Sequence, residues 1–207
     1  MAQRSRSSSA QLAPQRWPLL VVVHGHGGGA VPAVLQSLLD ELAQARGAAV
    51  WVQALTADPI EIPPRQKLLL VPLLLTPGSH VRVDVPAIRQ RLRGLGHHVR
   101  TLPFLGAWQP WLQHLRQLGC DAESQVVVHH PLRAGIADRY LHVLSQALGL
   151  PLRSADTCDA DFGRVLPLAL APNRMTAHLS AQQEGGLALL EHPATRQFLF
   201  ELLLDLP

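Results

Sequence analysis

The sequence predicts an α/β fold: two similar lobes, each a parallel sheet flanked by helices, with a cleft between them. Three observations predict it. Residues 68–75, LLLVPLLL, are apolar without alternation, the pattern of a strand covered on both faces, as in parallel sheets. Strands of this kind are separated by helix-length segments that end at a glycine, 31–46 before Gly47 and 134–148 before Gly149, where a left-handed residue closes a helix at least cost. Finally, the second half echoes the first. Residues 125–131, QVVVHHP, resemble 20–23 and the loop after them, and 165–173, VLPLALAPN, parallel 70–78, LVPLLLTPG. In this alignment His130 matches His26, and Met175 falls where His80 stands.

The elements follow in order. Residues 18–24 form a Val-rich strand, 25–29 a tight glycine loop, and 31–46 a helix with Pro32 near its start. A second strand spans 48–56. The connection 57–66, with Pro59, Pro63 and Pro64, is too short and Pro-rich to hold a helix. The third strand, 67–76, ends at Pro77-Gly78; Ser79-His80 follow in the loop. A helix over 84–93 takes Asp84 as its N-cap and Pro86 in its first turn. A short strand at 98–102 and a helix at 110–118 complete a lobe of residues 17–119. Residues 120–207 form the second, degenerate lobe, and the apolar C-terminal stretch 198–206 packs on its own sheet.

With 207 residues, 47% apolar and 16% charged, the chain has the composition of a folded soluble protein. Its longest apolar run is bounded by Lys67 and Thr76, short of the ~18 residues a membrane span requires. No membrane partner is expected. The net charge of +3 is spread rather than gathered in a stripe. It suits an anionic small molecule, and neither stacked aromatics on a basic sheet nor a recognition helix points to nucleic acid. Cys120 and Cys158 lie far apart without a CxxC pattern, so they read as buried free thiols in a reducing cytoplasm. Residues 1–16, with three arginines, four serines and no acid, read as a disordered tail; transit peptides share this composition, but the apolar segment of a secretory signal is missing. The expected state is a cytoplasmic monomer or homodimer.

Residues 21–30, VVVHGHGGGA, admit three chemistries. A Gly-x-Gly-x-x-Ala turn between strand and helix can seat a dinucleotide pyrophosphate, but that fingerprint needs an acid about 20 residues on, at the end of the next strand. Here that distance falls at 40–46, inside the first helix. A His-Gly pair after a strand also resembles the oxyanion loop of α/β-hydrolases, yet the chain has no Gly-x-Ser-x-Gly elbow, and Ser79 lacks its flanking glycines. The third reading joins His26 to His80. Both lie just beyond the ends of parallel strands, where loops open on the same side and ligands bind. Two converging imidazoles can hold a divalent metal ion or accept protons, and the glycines around His26 expose backbone N–H groups suited to carboxylates.

These residues resemble a known family. Gly25-His26-Gly27 and residues 71–86, VPLLLTPGSHVRVDVP, are similar to the two signature segments of the CbiX-type sirohydrochlorin chelatases, the class II cobaltochelatases and ferrochelatases of cobalamin and sirohaem synthesis. The resemblance covers 17–118, and the decayed repeat fits the two-lobed form in which one lobe keeps its histidines. It implies two chelatase-like lobes and insertion of Co2+ or Fe2+ into a metal-free tetrapyrrole, without ATP and with release of two protons. His26 and His80 would be the metal-binding and catalytic residues. Gly25, Gly27, Gly78, Ser79 and Arg82 would contact the anionic tetrapyrrole. No permanently bound cofactor is implied, since the metal is a substrate. The chain departs from the pattern twice: Gly28-Gly29-Ala30 replaces the family's arginine, and Gln53-Ala54-Leu55-Thr56 replaces an acid near the end of the second strand. These departures leave a non-catalytic tetrapyrrole or metal carrier as the alternative.

Overall fold

The computed structural model describes residues 16–132, 135–157, 163–182 and 185–207. The expected tail lies outside them except for Arg16, as do Cys158 and the expected start of the 134–148 helix.

The first sheet contains β1 (Leu19–Val23), β2 (Val50–Ala54), β3 (Lys67–Pro72) and β4 (His98–Thr101), all parallel, in the order β2-β1-β3-β4. The second contains β5 (Val126–His129), β6 (Leu152–Ser154) and β7 (Val165–Pro167), also parallel, in the order β6-β5-β7. Every residue of β1 is buried, and Leu68, Leu69, Leu70 and Val71 of β3 are wholly inaccessible. That is the double coverage their unbroken apolar sequence predicts.

The helices are α1 (Ala33–Arg46), α2 (Val85–Gly94), α3 (Gln109–Asp121), α4 (Ile136–Leu148), α5 (Arg174–Gln182) and α6 (Pro193–Leu204). Gly47 and Gly149 close α1 and α4 in the left-handed conformation. No described helix is long and apolar enough to cross a membrane.

Three expectations are corrected. Asp84 caps nothing. It has helical backbone angles and makes no side-chain capping bond, because the chain is already helical from His80, where a π-helical turn (His80–Asp84) leads directly into α2. Cys120 is exposed: Trp111, Leu112, Leu115 and Gly119 mark the inner face of α3, and the next residue turns outward. The third is the alignment of His130. Leu73 N–H donates to Val22 O and Leu168 N–H to Val128 O; Leu55 N–H donates to Val23 O and Ala155 N–H to His129 O. Val23 and His129 are therefore equivalent, so His130 stands at the position of His24 rather than His26. Pro72 and Pro167 lie opposite Val22 and Val128, which keeps Met175 opposite His80, buried in the second lobe.

The lobes share one core. A single apolar cluster joins Leu19, Val21 and Leu69 of the first sheet to Val127, Leu166 and Leu168 around the second, with Leu199 and Leu203 of α6 among them. The C-terminal helix packs on α1 and α3, so the end of the chain returns to the first lobe. Arg46, buried at the end of α1, donates to the carbonyls of Leu203, Leu204, Leu206, Pro207 and Trp17. Its guanidinium satisfies the free carbonyls that end α6, while burial lowers its pKa.

Candidate active site

The loops at the C-terminal ends of β1 and β3 meet those after β5 and β7 around a cavity of about 1260 Å3. Ordinary small-molecule pockets hold roughly 300–1,000 Å3, so this cleft suits a large ligand. Leu73, Leu74, Leu75, Leu168 and Leu170 give it apolar walls, and His24, His26, His80, Arg82, His130 and Arg174 are its imidazoles and cations. Gly25, Gly27, Gly78 and Ser79 line it as well. Every site residue expected from the sequence thus reaches one cavity.

The ring beside His80 is that of His24. Their centroids are 4.8 Å apart and their planes cross at 83°. His26 stands two residues further along the loop. Its N–H donates to Ala30 O, its carbonyl accepts from Gly29 N–H, and Thr56 Oγ1 donates to the same carbonyl at 2.8 Å. The sequence signal for His24 is its own His-Gly pair, one residue past the last residue of β1.

Each ring of the pair has one nitrogen occupied. His80 Nδ1 lies 2.6 Å from Asp84 Oδ2, and His24 Nδ1 lies 2.8 Å from Gly25 O. Both partners only accept, so Nδ1 carries the proton and Nε2 presents its lone pair. The His80–Asp84 pair is too open to add much stability: with side chains 38% and 44% exposed, such pairs are worth about 0–1 kcal/mol. Its consequence is orientation. A carboxylate behind an imidazole fixes the tautomer and strengthens the ring as a ligand.

The π-helical turn makes this geometry. Val85 N–H bonds back to His80 O, so the widened turn sets His80 and Asp84, four residues apart, side by side where β3 ends. Such turns recur at functional sites. Opposite, the glycine loop presses on the end of β2. Gly25 has φ +77, and a Cβ there would lie 2.6 Å from Thr56 Oγ1 and 2.9 Å from Ala54 Cβ. Gln53, near the family's acidic position, is buried and structural. Its amide donates to Ala54 O and Asp58 O and accepts from Ile60 N–H, which folds the short helix-free connection to β3. Ser79 has no hydrogen bond to an imidazole among the described residues, so no serine nucleophile is assembled. Nor do those residues contain a group of three or more His, Cys, Asp or Glu side chains able to hold a metal ion.

No protein-family model and no curated protein matches the chain. Two solved structures share its fold. The sirohydrochlorin chelatase SirB from Bacillus subtilis subspecies spizizenii, in complex with cobalt, superposes with a TM-score of 0.54 at 14% identity, over 90% of this chain and 93% of that one. CbiX, described as the terminal enzyme for biosynthesis of siroheme in denitrifying bacteria, superposes with a TM-score of 0.56 at 18% identity, over 90% of this chain and 97% of that one.

Proposed function

We propose that the chain is a metal chelatase that inserts a divalent ion, Co2+ or Fe2+, into a metal-free anionic tetrapyrrole of the sirohydrochlorin class. One observation carries this reading: two imidazoles from the loops after separate strands meet in edge contact on the wall of a large apolar cleft, each with Nδ1 engaged and Nε2 without a partner among the described residues. Paired neutral imidazoles ligate first-row divalent metals, and imidazole is the side chain that exchanges protons near neutral pH. Two open ligands hold an ion loosely enough to pass it on.

In this reading His24 and His80 receive the metal, with Asp84 orienting His80. The leucine walls pack against the faces of the macrocycle, which brings its pyrrole nitrogens up to the ion. His26, the partner of His80 expected from sequence, stands next along the same wall, where it can accept a pyrrole proton. Arg82 offers charge to the carboxylates at the rim. Metal and tetrapyrrole are both substrates, and no resident cofactor has a part.

The test is anaerobic incubation of sirohydrochlorin with Co2+ or Fe2+, followed by its absorption spectrum. Wild-type protein is expected to metallate faster than the protein-free control, His24→Ala and His80→Ala at the control rate. Equal rates for wild type and His80→Ala overturn the assignment. The alternative, a tetrapyrrole or metal carrier, is favoured by one observation: no third metal-ligating side chain joins the pair among the described residues. Tight tetrapyrrole binding without turnover selects it.

A further inference from the structure

The second lobe faces the same cleft with its imidazole reversed. His130, at the strand-end position equivalent to His24, accepts a hydrogen bond at Nε2 from Asn173 Nδ2, at 3.2 Å. The amide cannot turn the other way. Its Oδ1 is held by Thr176 N–H at 3.1 Å, and Asn173 N–H donates to Thr176 Oγ1 at 2.8 Å, so the NH2 group faces His130. With Nε2 accepting, the ring proton must sit on Nδ1, an N–H with no partner among the described residues. His24 and His80 offer lone pairs; His130 offers a donor.

Arg174 follows Asn173 directly and lines the cavity too. Its guanidinium has no hydrogen-bond or ion-pair partner among the described residues. From these placements we infer that His130 and Arg174 form a carboxylate-binding subsite, which holds acidic side chains of the tetrapyrrole on the second lobe while the first lobe handles the metal. The pairing answers an elementary requirement. A lone pair at this position would repel a carboxylate, whereas an imidazole N–H and a guanidinium lining the same cavity can bind it by charge-assisted hydrogen bonding. Desolvation, helped by His24 and His129, lowers the pKa of His130, while the hydrogen bond from Asn173 selects its tautomer. Met175, at the position equivalent to His80, fits this division of labour: the second lobe has an imidazole that can bind an anion and no histidine at the position that would make it a metal pair.

The subsite rests on the chelatase reading, and the experiment separates the two. Uroporphyrin, a metal-free octacarboxylate porphyrin, is titrated by fluorescence into wild type, Arg174→Gln and His130→Phe, and Co2+ is titrated into the same proteins by calorimetry. Each substitution is expected to weaken uroporphyrin binding by roughly ten-fold, the scale of one charge-assisted hydrogen bond, and to leave Co2+ binding at the wild-type level. The loss should shrink with coproporphyrin, which carries half as many carboxylates. Undiminished uroporphyrin binding by both variants overturns the subsite and leaves the chelatase reading standing. A wild-type protein that binds neither uroporphyrin nor Co2+ overturns both.

Discussion

An imidazole with one nitrogen occupied has only the other to offer, and at His24, His80 and His130 a neighbour one to forty-three residues away makes that choice. Asp84 is the most consequential of these neighbours. Replacing it with asparagine keeps the shape but removes the charge and allows an NH2 group to face Nδ1, which would move the ring proton to Nε2 and block the lone pair that the proposed metal site requires. Second-shell changes of this kind cost about 10–100-fold in metal affinity. Asp84→Asn is therefore expected to lower Co2+ affinity by that factor while the melting temperature moves little, because the exposed pair carries little stability. Unchanged Co2+ affinity would remove Asp84 from the site. The i, i+4 spacing of His80 and Asp84 was visible in the sequence, but an Asp before Val-Pro reads as an N-cap, and only the π-helical turn gives it a different task. His24 was not singled out for a related reason: two overlapping His-Gly pairs offer two registers, and only the fold shows that the ring of His24 is the one set against His80.

At the scale of elements, the strands and helices that were expected lie within a few residues of those observed, because burial on both sheet faces forces unbroken apolar runs and glycine ends two helices, whereas β6, α5 and α6 were not expected as elements. Exact termini were not legible. Expected strand 67–76 stops at Pro72, although Leu73 N–H still donates to Val22 O and Leu73 and Leu74 stay buried beyond it. The glycine loop also differs from its expected role. Its sequence promised open amides for a ligand, yet Gly25 is needed first for fit, being left-handed and pressed against Thr56 and Ala54. Gly25→Ala combines a left-handed penalty of about 1–2 kcal/mol with an overlap that must push Thr56 away from the His26 carbonyl. The expected result is a loss of roughly 2–4 kcal/mol in urea unfolding, together with weaker Co2+ binding as His24 shifts. Retained stability would mean that the loop opens without consequence, and the argument for close packing at Gly25 would fail.

For the whole molecule, the repeat in the sequence predicted two lobes, and two sheets are present; what the repeat could not reveal is that they share a core. Periodicity reports which face of an element is covered but not what covers it, so the return of α6 to the first lobe was hidden. Polar contacts join the halves as well, two of them buried or half-buried and tied to the backbone. Tyr140 of α4 reaches the backbone of the first lobe, its hydroxyl 2.8 Å from both Leu75 O and Gly106 O, with burial raising its pKa; Arg46 holds the end of α6. All four tryptophans, Trp17, Trp51, Trp108 and Trp111, lie in the first lobe, residues 17–119, so tryptophan fluorescence reports that lobe while far-ultraviolet circular dichroism reports both. Independent lobes would give two midpoints, and a shared core should give one. Arg46→Met sharpens the test, because it removes hydrogen bonds from a charged group worth about 1.5–3 kcal/mol at a contact between α1 and α6. At roughly 2–4 °C per kcal/mol for a chain of this size, both signals should fall together by about 3–12 °C. If fluorescence moved while circular dichroism retained a second transition at its original temperature, the lobes would be folding separately. The cleft between them would then be a hinge rather than a preformed site.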